Sequence, residues 1–423
     1  MISFLLKGLL RDRSRSLLPL LVVSCGVLLT VFMHTWTQGE NNELIRASAA
    51  FGTGHVKVMS RAYAREADQI PNDLALDRVA ALLSELRRDY PDFRWTPRIR
   101  FGGLLDVPDS SGETRAQGPT GGLAVDLLSP GNPETGMLNL RKALKQGRLP
   151  EQPGEVLVSD EFARTLGIKP GDVVTLFSSS MFGGMATANF RVAGTVRFGV
   201  SVMDRGMVIA DVGDVQQALD MTDAAGEIVG FTRDGSYQPA EARRIVTAFN
   251  ARFASDRDQY APEMVALRDQ NGMGQVIDLH RSMTGIVIAV FVCVMSLVLW
   301  NAGLMGNLRR YGEIGIRLAI GENKGHLYRN LVAESLMIGV IGSVLGSAVA
   351  LALAYYLQAH GIDFSSMLKS SSAMMSDIYR PMVTPVSWFI GFIPGLLATL
   401  VGTAISGANV YRRQTSQLMK EME

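Results

Sequence analysis

The run SLLPLLVVSCGVLLTVFMHTWTQG, residues 16–39, contains no Asp, Glu, Lys or Arg. An α-helix rises about 1.5 Å per residue and crosses the hydrocarbon layer of a bilayer in about 20 residues. Three further runs are equally free of charge and long enough to span: residues 282–308, 335–362 and 381–411. Lipid offers backbone N–H and C=O groups no water, so uninterrupted apolar runs of this length satisfy them internally as helices. The composition agrees. Charged residues make up only 19% of the 423-residue chain, against about 25% in soluble domains. The expected fold class is a membrane α-helical protein of four transmembrane helices, with a mixed α/β extracytoplasmic domain inserted between the first and second.

Basic residues in the short flanking segments set the orientation. Lys7, Arg11, Arg13 and Arg15 precede the first span; Arg309, Arg310, Arg317, Lys324 and Arg329 separate the second from the third; Arg412, Arg413 and Lys420 follow the fourth. The segment between the third and fourth spans carries only Lys369 and Arg380. Both termini and the loop between the second and third spans are therefore expected in the cytosol. The expected divisions are an amphipathic segment 1–15, spans 16–39, 281–308, 331–358 and 385–410, an outer domain 40–280, a cytosolic loop 309–330, an outer loop 359–384 and a cytosolic tail 411–423. The first span is read as a retained anchor, because its apolar stretch exceeds a signal-peptide core and no small-x-small cleavage site follows it.

Within residues 40–280, short β-rich runs at 56–59, 155–159, 173–177, 190–196 and 207–210 are separated by Gly, Pro and Asp. A helical stripe places Leu76, Val79, Leu83 and Leu86 on one face, Ser159 caps a helix ending before Gly167, and another helix is expected over 240–253. The polar, glycine-rich stretch 102–122 reads as a boundary or flexible crossing.

Several function classes are excluded or weakened. With 41 basic and 40 acidic residues the formal net charge is +1, so no global field draws the chain to nucleic acid. Cys25 and Cys293 lie in apolar runs and suit packing; the five histidines are scattered and imply no metal site. There is no phosphate-binding G-x-x-x-x-G-K-[ST] loop and no evident catalytic constellation. Catalysis by this chain is not expected, and no cofactor of its own is implied.

The loop LRRYGEIGIRLAIGENKGHLYRNLVAES, residues 308–335, is charged and partly helical in pattern. Ile314, Leu318 and Ile320 are available to bury, while Glu313 and Arg317 stand one turn apart. Either this is an element that passes movement from a soluble partner to the membrane, or it is an ordinary basic loop with one ion pair. Its run GEIGIRLAIGE, residues 312–322, resembles the cytosolic coupling region of the FtsX-like permeases, which include MacB-type and lipoprotein-releasing members. GHVKVM at 54–59, GRLPEQPGEVLVSDEFARTLGIKPGDVVTL at 147–176 and FRVAGTV at 190–196 are similar to the MacB-type outer domain.

The resemblance implies one half of a type VII ABC transporter. In that family two permeases, identical or paralogous, pair above a dimer of ABC ATPase subunits that bind ATP and Mg, and closure of the ATPases is transmitted to the outer domains. By position, Glu313, Gly315, Arg317 and Gly321 would couple to the ATPase. In related permeases an amphiphile is captured near the outer ends of the first two spans, which here carry Met33, Trp36 and Met283. An amphiphilic cargo such as a lipoprotein or lipid is the leading expectation; MacB-like efflux of small molecules or peptides and an FtsX-like mechanotransmitter are the alternatives. The resemblance also implies a periplasmic adaptor or carrier as a partner. Gly342, Gly346 and Ala350, with Gly391 and Gly395, are small residues at four-residue spacing that suit close packing within the subunit or between subunits. The stretches 178–188 and 367–382, rich in methionine and serine, read either as contact surfaces or as plain connectors.

Overall fold

The computed structural model describes residues 13–199, 201–233, 235–270, 272–308, 316–363 and 378–412. The amphipathic segment expected at the N-terminus, most of the 367–382 stretch and nearly all of the C-terminal tail fall outside them. The chain divides into two compact units, one within residues 1–42, 278–362 and 379–423 and the other within 43–277 and 363–378.

The first unit is helical. Arg13–Ser48, Met273–Leu308 and Lys324–His360 form three long helices, and the fourth span is built in pieces: a 3-10 turn Pro385–Trp388, a π turn Ile393–Ala398 and the helix Thr399–Arg412. Each long helix overruns its charge-free window, because the helix is limited by caps and breakers and not by where the lipid ends. The third span thus starts at Lys324, inside the stretch expected to be loop, where the Asn323 side chain accepts the Gly325 N–H at 2.9 Å. The fourth span departs from a plain helix because of its prolines. Pro385 begins it behind a Thr384–Ser387 capping box, and Pro394, which has no N–H to donate, lies in the π turn.

Small residues seat these helices on one another. A side chain at Gly346 would place its Cβ 2.4 Å from the Ser24 carbonyl oxygen, and one at Gly342 would press on Val23 at 2.7 Å. Gly391 and Gly395 meet Val27 at 2.7 and 2.5 Å, and Gly26 faces Leu299 at 3.3 Å. Val23, Val27, Val31, Leu299, Ala350 and Leu351 form the resulting core. The glycine stripes therefore serve packing within the subunit, the second of the two readings being unnecessary for them. His34 adds a polar tie across helices, its Nδ1 lying 3.1 Å from Ser387 Oγ.

The second unit is a mixed sheet with helices packed on it. Its strands are β1 (Val56–Ser60), β2 (Phe93–Pro108), β3 (Thr114–Val125), β4 (Leu144–Gly147), β5 (Glu155–Ser159), β6 (Val173–Ser179), β7 (Met185–Val196), β8 (Met207–Asp211), β9 (Glu227–Thr232) and β10 (Pro262–Ala266). Their order is β10-β1-β9-β2-β3-β8-β5-β7-β4, with β6 pairing both β2 and β7. The β3–β8 and β5–β7 pairs are parallel. β2 joins the two ends of the sheet: its first half pairs with β9 and its second half with β3 and β6. The largest core runs through Val58, Leu86, Ile99, Leu105, Val156 and Phe249, and the helices Val79–Asp89, Asp160–Leu166 and Pro239–Arg252 each turn a buried apolar face to the sheet. Ser159 caps the helix Asp160–Leu166 through the Phe162 N–H, and Gly167 closes it at φ 67°.

The stretch 102–122 is no linker. It forms the arms of the β2–β3 hairpin, in which Phe101 pairs with Gly122 and Gly103 with Thr120. The glycines admit neighbours: a Cβ at Gly122 would overlap the Phe101 ring at 1.9 Å, and one at Gly103 would meet the Phe177 carbonyl at 2.1 Å. Glycine inside a strand marks close approach as readily as it marks a break.

Among the described residues, two buried ion pairs lie in this unit. Arg98, 1% exposed, donates Nε and Nη2 to the two oxygens of Glu134, which is fully buried, at 2.9 and 2.6 Å. Its Nη1 bonds the Ala50 carbonyl at 2.7 Å, at the π turn Ala49–Thr53. Lys57 Nζ meets Glu227 at 2.9 Å; burial pushes the lysine pKa down, and the attraction of Glu227 opposes that shift.

Candidate functional site

Met33 and Trp36 lie on one face of the first helix, three residues apart, and Met283 lies on the second helix. All three line a single cavity of about 540 Å³. Its other walls are Phe32, Thr37 and Glu40 from the first helix and His280, Thr284 and Val287 from the second. The spacings 32/33, 36/37, 40 and 280, 283/284, 287 each follow one helical face. Trp36 is held in place by stacking on Tyr379, ring centroids 3.9 Å apart and planes at 24°. The Tyr379 hydroxyl also donates to the Trp36 carbonyl. Met283 is 60% exposed, so the cavity presents a mobile, polarisable apolar wall.

The cavity is graded. Along the first helix, Glu40 lies eight residues beyond Phe32, about 12 Å at 1.5 Å per residue. Along the second, His280 lies seven residues before Val287, a similar distance. The apolar groups thus stand at one end and the carboxylate and imidazole at the other. Glu40 and His280 were not singled out from sequence. The signal that could have found them is the continuation of each helical face by one further turn.

The four residues expected to couple to an ATPase are divided. Glu313 and Gly315 lie outside the described residues. Arg317 sits, exposed, in a helical turn at residues 316–319. That turn ends in two reciprocal bonds: the Glu322 N–H to the Arg317 carbonyl at 3.0 Å and the Gly321 N–H to the Leu318 carbonyl at 3.1 Å. With Gly321 at φ 98°, this is a Schellman closure, and glycine is the residue that adopts it without strain. Leu318 packs on the buried Leu327 and Leu331, which fixes the turn against the start of the third helix. Ile320, expected to bury, is instead 81% exposed, and Ile316 is 49% exposed. The reversal at Gly321 points Ile320 away from the Leu318 contact. Glu322 reaches His326 at 3.0 Å, and Asn330 Nδ2 lies 3.3 Å from the same imidazole nitrogen.

The stretch 178–188 is the tip and second arm of the β6–β7 hairpin, closed by Gly183 at φ 79°. Met181 packs on the core, whereas Phe182 and Met185 are 81% and 84% exposed. Met185 belongs to β7, not to the turn. The tip contributes to a cleft of about 1280 Å³ with Gln69, Arg78, Leu82, Phe253, Tyr260 and Pro262 among its other walls. Among the described residues no group of three or more His, Cys, Asp or Glu is placed to hold a metal ion.

Comparison with known proteins adds the family. Residues 16–248 match the MacB-like periplasmic core domain and residues 285–415 match the FtsX-like permease C-terminal domain. The lipoprotein-releasing system transmembrane protein LolC of Xylella fastidiosa is 22% identical over 237 residues, covering 54% of this chain and 55% of that protein. The macrolide export ATP-binding/permease protein MacB of Rhodopseudomonas palustris is 30% identical over 115 residues, 26% of this chain and 17% of that protein. The chain thus matches about half the length of LolC and a smaller share of MacB. The periplasmic region of MacB from Actinobacillus actinomycetemcomitans aligns at 14% identity and a TM-score of 0.37, covering 54% of this chain and 94% of that one. The periplasmic core match runs over more than half of the 423 residues, and the chain belongs to the MacB-like, FtsX-like family of type VII ABC-transporter permeases.

Proposed function

We propose that this chain is the permease subunit of an ATP-driven transporter that takes an amphiphilic cargo, a lipoprotein or lipid-like molecule, into the cavity between its first two helices. The observation that carries the reading is the cavity itself. Met33 and Trp36 from the first helix and Met283 from the second line one space of about 540 Å³ that is apolar at one end and polar at the other. An acyl chain fits the apolar end, where burial contributes about 0.8 kcal/mol per methylene. Similarity to the lipoprotein-releasing LolC supports the cargo class.

ATP hydrolysis belongs to a separate ATPase dimer in this reading, with a second permease completing the membrane assembly. Exposed Ile316 and Ile320, with Arg317 between them, suit docking to that ATPase. The Schellman closure makes the turn rigid, and its Leu318 contact passes displacement to the third helix.

Photo-crosslinking amino acids at positions 33, 36 and 283 test the proposal in membranes containing the full transporter. Cargo is expected to crosslink at all three in the resting state and to be released by ATP. Crosslinks confined to the neighbourhood of Asn330 would mean that cargo enters from the opposite side of the membrane, and the proposal would fail.

A further inference from the structure

The segment that leads into the fourth span holds two other helices. Arg380 Nη1 donates to the Gln358 and Ala359 carbonyls, both at 3.0 Å, and the Gln358 side-chain oxygen accepts the Val383 N–H at 3.2 Å. Those carbonyls belong to the last turn of the helix Lys324–His360, where the helix itself offers no further N–H. Arg380 thus caps the third helix, and its cation suits the negative end of the helix dipole.

The same segment grips the first helix. The Met382 N–H donates to the Thr35 carbonyl at 2.9 Å, and the Tyr379 hydroxyl donates to the Trp36 carbonyl. The half-buried Tyr379 ring stacks on the Trp36 indole, centroids 3.9 Å apart. Phe32, on the same helix as Trp36, meets the indole at 6.0 Å, so Tyr379 is the nearer aromatic support. Gly39 admits the segment: a Cβ there would run into the Arg380 carbonyl and lie 3.0 Å from Pro381 Cα. Thr35, Trp36 and Gly39 bring these contacts to about one turn of the first helix. Residues 379–383 are therefore a strap with one hold on the third helix and another on the first, and Trp36 is shared between the strap and the cavity wall.

Resting on the reading of this cavity as the cargo site, we propose that Tyr379 is a positioning residue for cargo: its ring holds the Trp36 indole in the cavity wall, and Arg380 ties that hold to the C-terminal end of the third helix. An indole without this support turns among its rotamers and must be ordered again when an alkyl chain enters, which weakens binding. Tyr379 does not line the cavity, so it acts through Trp36 and not by touching the cargo. The tie to the third helix makes the wall respond to that helix, because a strap capped onto its last turn shifts with it.

The test uses the full chain in zwitterionic-lipid nanodiscs and hexadecanol carrying a chain-terminal diazirine. Labelling is read by peptide mass spectrometry at residues 280–287 of the second helix, which no variant alters. Tyr379→Ala is expected to lower labelling roughly 3- to 10-fold, the range that loss of one aromatic pair produces. Tyr379→Phe keeps the ring and loses only the hydroxyl, and is expected to stay within about 2-fold of wild type. Arg380→Ala leaves both rings in place and frees the strap from the third helix; it is expected to lower labelling less than Tyr379→Ala does. Trp36→Ala is expected to lower labelling by itself, and adding Tyr379→Ala to it is expected to change nothing further, whereas a general loss of folding would add to it. Wild-type labelling in Tyr379→Ala or in Arg380→Ala, a loss in Tyr379→Phe as large as in Tyr379→Ala, or a further loss of the same size in the double variant overturns the positioning role while the cavity stands as a cargo site. If the probe does not label residues 280–287 even in wild type, the cargo-site reading falls and the positioning role falls with it.

Discussion

Arg98 and Glu134 meet through two parallel hydrogen bonds, 2.9 and 2.6 Å long, with both side chains shut off from solvent. The same guanidinium lies 5.4 Å from the Phe231 ring centroid and holds the Ala50 carbonyl. A single side chain thereby ties β2, the short helix Glu134–Met137 and the π turn Ala49–Thr53 together.

Removing one partner leaves a buried, uncompensated charge, which costs about 3–5 kcal/mol. Arg98→Ala is therefore expected to raise hydrogen exchange throughout the sheet strands and around residues 49–53 of the full-length protein. The double variant Arg98→Met with Glu134→Leu is expected to recover most of that protection, since it removes the charges together. Equal exchange in wild type and Arg98→Ala would show that the pair does not hold the domain.

Arg148 and Glu155 form a second bidentate pair, with Nη1 to Oε2 at 2.8 Å. The hydrogen bonds from Arg148 hold the Glu155 pKa below its ordinary value. A carboxylate whose folded-state pKa is depressed contributes stability above its unfolded pKa, about 4.3, and loses it as pH falls through the lower folded value. Because Arg148 is exposed, solvent screens the pair and the contribution is small. Domain stability measured by hydrogen exchange at pH 7 and at pH 3.5 should fall less in Arg148→Ala than in wild type. A larger fall in the variant would reverse the assignment.

Arg317→Glu leaves every span intact and should not alter membrane insertion. Reversing one interfacial charge of about 1 kcal/mol corresponds to roughly a 5-fold loss of ATPase docking, read by co-purification of the ATPase with the membrane complex. Gly321→Ala is expected to weaken the turn by about 1 kcal/mol, because φ 98° strains any residue with a Cβ. Wild-type docking in both variants would remove this turn from the coupling path.

Gly346→Leu must displace either the Ser24 backbone or Val27. Overpacking of this kind costs about 1–3 kcal/mol, so the purified permease should unfold several degrees lower. As the contact lies within one chain, the shift should not depend on protein concentration. A concentration-dependent shift would move the stripe to a subunit interface.

Sidedness is tested with a membrane-impermeant thiol reagent, in a background free of Cys25 and Cys293. Ser111→Cys, at the exposed tip of the β2–β3 hairpin, should be labelled in cells with a permeable outer membrane, and Ile320→Cys should not. The opposite pattern would invert the topology.

Local physics made a large part of this protein readable from its sequence. Four charge-free runs long enough to span require no knowledge of their neighbours, because lipid forces each to satisfy its own backbone. The strand runs at 155–159 and 207–210, and the helix between Ser159 and Gly167, were legible for a similar reason: their signals lie within a few residues. What lay beyond the sequence were relationships across distance. Arg94, Arg98 and Arg100 share one strand face, yet Arg94 is exposed and Arg98 is buried; only the arrival of Glu134, 36 residues later, separates them. The 102–122 glycines read as a break until Phe101 and Phe177 fill the space that they leave. Met33, Trp36 and Met283 could each be placed near a helix end, but their convergence on one cavity, and the addition of Glu40 and His280 to it, depends on how two helices separated by more than two hundred residues rotate against each other. Gly26 opens room there for the Leu299 side chain, a steric fit that no local pattern encodes.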